Sequence, residues 1–224
     1  MKVIDPHFEI LYMPDGDGIV KHLELAARTC YKSEDKITPD SAETFLARII
    51  KSGHESVIEH ASVSVRMVCD RGVSHELVRH RLCSFSQEST RYANYSKDKF
   101  GNEITVIRPF FFERGSGRYN EWENAMQACE KAYLSLLSAG AKAQEARSVL
   151  PNSLKTDIVV TANLRQWRHI FKLRCSKASH PQMRQLMLPL LKTFHSCIPV
   201  MFDALYENFK EDMDSFGDLA APVA

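Results

Sequence analysis

Residues 79 to 92 read Arg-His-Arg-Leu-Cys-Ser-Phe-Ser-Gln-Glu-Ser-Thr-Arg-Tyr. This run holds three arginines, a histidine, a glutamate, a glutamine and four serine or threonine hydroxyls, with Leu82, Phe85 and Tyr92 as its only large apolar side chains. Burying that many polar groups costs more than three apolar residues return. The run must therefore face water, a ligand or another subunit, and the core must be built from other segments. Arginine forks grip phosphate and carboxylate bidentately, while serine, glutamine and backbone N–H groups add neutral donors. The chemistry this favours is a site for a phosphorylated, hydrogen-bonding small molecule.

The approach to the run suggests its geometry. Ser74-His75-Glu76-Leu77 reads as a helix start with Ser74 as N-cap. At about 100° per residue, Glu76, Arg79, His80 and Cys83 would share one face, with Val78 and Leu82 opposite. If the helix persists, Arg79 and Arg81 diverge by about 160° and serve different ligands or different subunits. If the chain is extended beyond Cys83, Gln87, Ser89 and Arg91 line one side with period two.

The rest of the chain reads as α+β: a helix-rich single domain, residues 1–224, around a small central, mostly antiparallel sheet. Short strands are expected near Val3 to Leu11, interrupted by Pro6, and at Ile104 to Ile107 and Asp157 to Thr161. Ser62 to Met67 alternates as a half-buried strand. Asp15-Gly16-Asp17-Gly18 reads as a turn before a helix from about Ile19 to Tyr31. A second helix is expected with Thr38 as N-cap, Pro39 in its first turn and Gly53 as stop. Longer helices follow at about 120–137 and 142–150. Asn163 caps a helix with Leu164, Trp167, Ile170 and Phe171 on its apolar face and Arg165, Arg168, His169 and Lys172 on its polar one. The last helical region, about 182–208, is kinked or broken at Pro189 and Pro199. The tail after about residue 211 is expected to be mobile.

Composition narrows the function. A formal net charge of +1 argues against a general nucleic-acid binder, whose footprint is strongly basic. An RNA- or nucleotide-binding module using the Arg-His-Arg cluster stays as the alternative, without an aromatic stacking motif to support it. A metal-dependent nucleotide hydrolase is a further rival. Cysteines 30, 69, 83, 129, 175 and 197 have no CxxC and no zinc spacing. With no signal peptide at the start, they are expected to be reduced thiols of a cytoplasmic protein. No apolar run approaches the roughly 18 residues of a transmembrane helix, so no membrane role is expected. Neither a phosphate loop nor a strand-anchored G-x-G-x-x-G is present.

Single residues carry competing readings. His54 and His60 flank Glu55 and Glu59, but a spacing of six is no standard helical ligand pair, so no metal site is expected. Cys83 beside arginines is either an activated nucleophile or, as free cysteines more often are, a small hydrophobe. Ser89 lacks the elbow of a serine nucleophile. Arg147 by composition alone is a solvated charge, and Arg174 complements a helix end.

Arg79-His80-Arg81, seven residues, then Ser89 and Arg91-Tyr92, resembles the signature of the flavin-dependent thymidylate synthases. His54-Glu55-Ser56-Val57-Ile58-Glu59-His60 resembles that family's upstream flavin-contacting segment. Arg147 to Pro151, and Asn163-Leu164-Arg165 with His169 and Arg174, resemble its downstream ones. Four ordered segments span residues 54 to 174, more than half of the chain, although Lys99 to Tyr119 matches no family element. The resemblance implies reductive methylation of dUMP to dTMP, with 5,10-methylenetetrahydrofolate as carbon donor, FAD as hydride carrier and NADPH as reductant. It implies dUMP contacts at Glu76, Arg79, Gln87, Glu88, Ser89, Thr90, Arg91, Arg147 and Arg174. It implies FAD contacts at Ser56, Glu59, Arg79, His80, Arg81, Gln87, Asn163, Arg165 and His169. Arg174 would be the catalytic residue, without a protein nucleophile, and the assembly a homotetramer with active sites shared between subunits.

Overall fold

The computed structural model describes residues 1–216. Strands are β1 (Lys2–Ile4), β2 (His7–Tyr12), β3 (Ser62–Asp70), β4 (Ser84–Gln87), β5 (Thr105–Ile107) and β6 (Lys155–Asn163). Helices are α1 (Gly16–Thr29), α2 (Ser41–Lys51), α3 (Arg71–Leu77), α4 (Gly117–Ser138), α5 (Ala143–Ala146), α6 (Leu164–Arg174), α7 (Pro181–Cys197) and α8 (Pro199–Phe216). The fold is α+β and helix-rich, with a small antiparallel sheet and one parallel pair. Four strands run in the order β2-β3-β6-β4, and β1 pairs in parallel with β5, Val3 opposite Val106.

The chain forms two compact units. One comprises Met1–His7, Met67–Arg79 and Ser86–Ile158; the other comprises Phe8–Arg66, His80–Phe85 and the chain from Val159 on. The first has a core of Ile104, Val106, Tyr133, Ala146 and Leu154, all buried, with Tyr95 against Tyr133. The core of the second is aromatic. Trp167 and Phe171 of α6 meet Phe194 of α7, and Phe171 and Phe194 both meet Phe202 of α8, with ring centroids 5.1 to 5.8 Å apart. Each such side chain, fully buried, contributes about 1.5–3 kcal/mol. The indole N–H of Trp167 donates to the carbonyl of Val63 at 3.1 Å, so the ring brings no unsatisfied donor into the core.

Several local expectations are corrected. Ser74 is not an N-cap: α3 begins at Arg71, capped by Asp70, whose Oδ1 accepts from Val73 N at 2.7 Å. The helix ends at Leu77, so Glu76, Arg79, His80 and Cys83 do not share a helical face and the 160° divergence of Arg79 and Arg81 does not arise. Extension after Cys83 lasts only through Gln87, because Ser89 opens a turn by accepting from the N–H groups of Tyr92 and Ala93. Asp15 caps α1, so Gly16-Asp17-Gly18 is its first turn and not a separate loop. Asp40 stands at the N-cap position of α2, two residues beyond Thr38, because Pro39 holds the preceding residue extended. The helix expected at 142–150 is shorter, α5 giving way to a 3₁₀ turn at Arg147–Val149.

Two of the breakers behave differently. Pro189 lies inside a continuous α7, whereas α8 starts anew at Pro199 after Ile198 leaves helical geometry. Gly16 has a steric reason: a Cβ there would fall 2.2 Å from the carbonyl oxygen of Cys197. Helix α8 runs to Phe216, and the rest of the segment after about 211, expected to be mobile, lies outside the described residues.

Candidate functional site

In the first unit, β4 delivers Gln87 and Glu88 into a hydrogen-bonded patch. Gln87 Nε2 donates to Ser74 Oγ at 2.9 Å and to Thr156 Oγ1 at 3.2 Å, so its amide is anchored to α3 and β6. The Glu88 carboxylate accepts from Lys155 Nζ at 3.0 Å and from the Tyr95 hydroxyl at 3.1 Å, while its backbone N–H donates to Asp157 O. Lys155 also bonds Asp157. Burial works against charge on Lys155, but Asp157 and Glu88 outweigh it and the amine titrates higher than usual. Burial and the neighbouring Glu88 push the Tyr95 hydroxyl the same way.

The turn after β4 carries Ser89, Thr90 and Arg91. Thr90 is buried and accepts from Arg147 at 3.5 Å, which joins this turn to the 3₁₀ segment at 147. Arg91 lies 5.6 Å from the ring of Tyr92, which is 80% exposed. Arg79 follows the end of α3 and is exposed. Glu76, half-buried, belongs to the last turn of that helix. Among the described residues, Arg79, Arg91 and Arg147 make no ion pair. Eight of the nine residues expected for the substrate thus belong to the first unit, and among the described residues no carboxylate pairs with its Arg79, Arg91 or Arg147.

In the second unit, Asn163 caps α6, its Oδ1 accepting from Gln166 N at 2.9 Å. An Asn-to-Ala change at such a cap typically costs about 1 kcal/mol. The next turns project Arg165, Arg168, His169 and Lys172 into a cavity of about 840 Å³. Its opposite lining includes Glu55 and Glu59 from the 3₁₀ segment Glu55–His60, Leu82, and Leu205 and Phe209 of α8. Arg165 pairs with Glu59 at 2.6 Å and Arg168 with Glu55 at 3.2 Å. Lys172, by contrast, has no ion pair among the described residues. An adjoining recess of about 340 Å³ is lined by Ser56, His54 and Tyr31 and shares Glu55 and Arg165 with the cavity. Four of the residues expected for the flavin (Glu59, Asn163, Arg165 and His169) thus line one cavity, and Ser56 lines the recess beside it. Arg81 is exposed; Arg79 and Gln87 belong to the first unit.

The same unit holds Arg174 at the C-terminal end of α6. Its Nε donates to His80 Nε2 at 2.9 Å, and the His80 ring meets His169 edge-on at 5.8 Å. His80 is 5% exposed. Burial, then the charge of Arg174, then His169, lower its pKa to about 4. The imidazole is therefore neutral at physiological pH. Cys83 is no activated thiol: burial raises its pKa to about 11, opposed only by a hydrogen bond with Gln166.

Residue-by-residue reading of the sequence missed Lys155, Tyr95 and Arg168 as members of these clusters. The β6 alternation could have placed Lys155 beside Asp157 on one strand face, and Arg168 is on the polar face of α6. Nothing in the sequence pointed to Leu205 and Phe209, which reach the cavity from about 40 residues beyond α6's start.

The chain is similar to known proteins along most of its length. A family model described as thymidylate synthase complementing protein matches residues 10–200. A flavin-dependent thymidylate synthase of Geobacter sulfurreducens is 37% identical over 198 residues, covering 85% of this chain and 82% of that protein. One of Mycolicibacterium gilvum is 34% identical over 212 residues, with coverage of 87% and 82%. Among solved structures, a UMP/dUMP methylase, PolB, of Streptomyces cacaoi bound with 5-Br dUMP has the same fold, with a TM-score of 0.73 at 23% identity over 93% of this chain and 98% of that one. On the family model and these relatives, the chain belongs to the flavin-dependent thymidylate synthase family.

Proposed function

We propose that the protein methylates dUMP to dTMP, taking the carbon from 5,10-methylenetetrahydrofolate and reducing equivalents from NADPH through FAD. The observation that carries this reading is the cavity of about 840 Å³ whose wall gathers Glu59, Asn163, Arg165 and His169. Its size falls in the upper part of the roughly 300–1,000 Å³ span of ligand pockets. Its lining mixes cationic and amide donors with Leu82, Leu205 and Phe209, which suits a cofactor with a pyrophosphate and a planar ring. Bound flavin would supply the hydride, so the chain needs no nucleophile, in keeping with a Cys83 thiol that stays protonated up to about pH 11.

The chain's own residues bind and orient. Arg79, Arg91 and Arg147 neutralise the dUMP phosphate, with Ser89 and Thr90 adding hydroxyls. Glu76, Gln87 and Glu88 complete that set; the carboxylate of Glu88 is committed to Lys155 and Tyr95 and acts by fixing the turn. Arg174 holds a guanidinium against the N3–O4 edge of the uracil, where negative charge develops. Ser56, His80, Arg81, Asn163, Arg165 and His169 serve the cofactor, as do Glu59, Arg79 and Gln87. A homotetramer with shared active sites, working in the cytoplasm, completes the proposal. No described helix is long and apolar enough to cross a membrane.

The deciding experiment supplies dUMP, methylenetetrahydrofolate and NADPH with and without FAD and measures dTMP. FAD-dependent dTMP and a flavin absorption band that NADPH bleaches are expected. A colourless protein that FAD does not reconstitute would sink the reading.

A further inference from the structure

We propose that Lys155 and Tyr95 are positioning residues for the substrate, clamping the Glu88 carboxylate and so setting the geometry of the turn that carries Ser89, Thr90 and Arg91. This rests on the substrate role proposed for that turn and adds the residues that shape it. Every polar group of Glu88 is tied to the first unit. Its N–H donates to the carbonyl of Asp157 at 2.8 Å, and its own carbonyl accepts from Arg71 Nη1 at 3.4 Å. One carboxylate oxygen accepts from the Tyr95 hydroxyl at 3.1 Å and the other from Lys155 Nζ at 3.0 Å. Lys155 also bonds Asp157, two residues further along β6, so its amine bridges the strand and the turn.

The two holders grip the turn at both ends. Glu88 and Tyr95 stand seven residues apart, and their bond closes a loop around Ser89, Thr90 and Arg91. Inside the loop, the Ser89 carbonyl accepts from the N–H groups of Tyr92 and Ala93 at 3.0 and 2.9 Å. Tyr95 is buried; its ring meets Phe100 and Tyr133, and its N–H donates to the Tyr133 hydroxyl at 3.4 Å. The far end of the loop is therefore fixed in the core of the first unit. Lys155 adds an electrostatic part. A bare carboxylate one residue before Ser89 would repel an incoming phosphate dianion, and the ammonium of Lys155 cancels that charge. Although burial opposes it, Asp157 and Glu88 keep the amine charged through neutral pH, while burial and Glu88 keep the Tyr95 hydroxyl protonated as a donor. Neither residue lines the large cavity of the second unit, so the clamp stands apart from the flavin contacts proposed there.

The test has an arm that needs neither flavin nor substrate. In ligand-free protein, hydrogen exchange of the Tyr92 and Ala93 amides should run at least about 10-fold faster in Lys155→Met than in the unaltered protein. The Ile107 amide, bonded to the Ser153 carbonyl in the same unit, should be unchanged. Unaltered exchange at Tyr92 and Ala93 overturns the proposal, whatever the substrate proves to be. So does acceleration that extends to Ile107, which would make Lys155 a residue of general stability. The second arm uses the holoenzyme. Lys155→Met should weaken dUMP binding roughly 10-fold, and Tyr95→Phe, which keeps the ring, roughly 3-fold. Lys155→Arg restores the charge and should recover part of the loss. At saturating dUMP, reoxidation of reduced flavin should stay within about 3-fold in all three, as expected of residues that place the substrate without touching it. Flavin affinity should be unaltered. A fall in the saturating rate with dUMP affinity intact would overturn the clamp in favour of a direct part in the reaction. Failure of the unaltered protein to bind dUMP would end the proposed reaction, and the exchange arm would still decide the clamp.

Discussion

The arginines of the two units differ in how they are neutralised. In the first unit, Arg79, Arg91 and Arg147 make no ion pair among the described residues, and Arg147 donates to the Thr90 hydroxyl. In the second, Arg165 and Arg168 already hold Glu59 and Glu55. Uncompensated cations bring full charge to an incoming dianion and keep strong attraction at a distance, at the cost of mutual repulsion when nothing is bound. Pre-paired cations attract weakly but hold a wall in shape whether or not a ligand is present. The first arrangement suits a small, highly charged substrate that enters and leaves each cycle. The second suits a large group that stays and whose charge is confined to its pyrophosphate.

The largest expected effect comes from the arginine whose proposed target is the ring and not a phosphate. Arg174→Ala should slow dUMP-dependent oxidation of reduced flavin by roughly 10²–10³-fold, the usual cost of losing one such donor. Reduction by NADPH should be unchanged, and Arg174→Lys should recover only part, since it restores charge without the planar fork. Stopped-flow traces of the two half-reactions separate these outcomes; equal damage to both would make Arg174 structural.

Next in size is Arg147→Ala, which removes one uncompensated cation. dUMP should bind roughly 10–100-fold more weakly, the worth of a hydrogen bond between charged groups, with flavin content unaltered. Isothermal titration at rising salt should show the unaltered protein's dUMP affinity falling more steeply than its flavin affinity, because exposed charges are screened. Parallel salt slopes for the two ligands would break the contrast between the units.

A smaller effect is expected from the paired set. The Arg165–Glu59 bridge is about half exposed on both sides, and such bridges are worth about 0–1 kcal/mol. Arg165→Gln should weaken flavin binding only a few-fold, and adding Glu59→Gln should restore part of the loss by removing the stranded carboxylate. Flavin fluorescence titration reads this; a double variant worse than the single one would show that both side chains contact the cofactor directly. The smallest effect belongs to Cys83. With its pKa raised to about 11 from 9.0, its alkylation by iodoacetamide at pH 8 should be roughly 100-fold slower than that of an ordinary thiol. Cys83→Ala should keep dTMP formation within about 3-fold; a covalent uracil adduct on Cys83 would reverse the assignment.

Much of this was legible in the amino-acid order, for identifiable reasons. Helix α6 could be read because Asn163 is a strong cap and Leu164, Trp167, Ile170 and Phe171 repeat at helical spacing. Strand β3 announced itself by alternation. The polar run 79 to 92 could be recognised as a site but not shaped. Asp70, not Ser74, caps α3 because the side chain of Asp70 reaches Val73 N, while Ser74 turns its hydroxyl to Arg71 O and Gln87. Either residue type is a good cap, so only the tertiary partner decides. The Glu88–Lys155–Tyr95 cluster escaped notice because its members are 7 and 67 residues from Glu88 in the chain and obey no local period. The His80–Arg174 contact spans 94 residues and was equally invisible.

The close approach of Gly16 to the Cys197 carbonyl has a consequence for the order in which the protein is made. Helix α1 is completed early in synthesis, but the surface it docks on lies at the junction of α7 and α8. The second unit is built from Phe8–Arg66, a short piece at His80–Phe85, and the chain from Val159 on. About 170 residues separate the end of α1 from Cys197, and nearly all of the first unit lies among them. At about 5–20 residues per second, that is a delay of roughly 8–35 s. Throughout it Leu23, Leu46, Val63 and their neighbours, all buried at the end, have no finished core to enter. The first unit can close during this interval. The second waits for the last helices, and its N-terminal segment is the part of the nascent chain with the longest need of a chaperone's shelter.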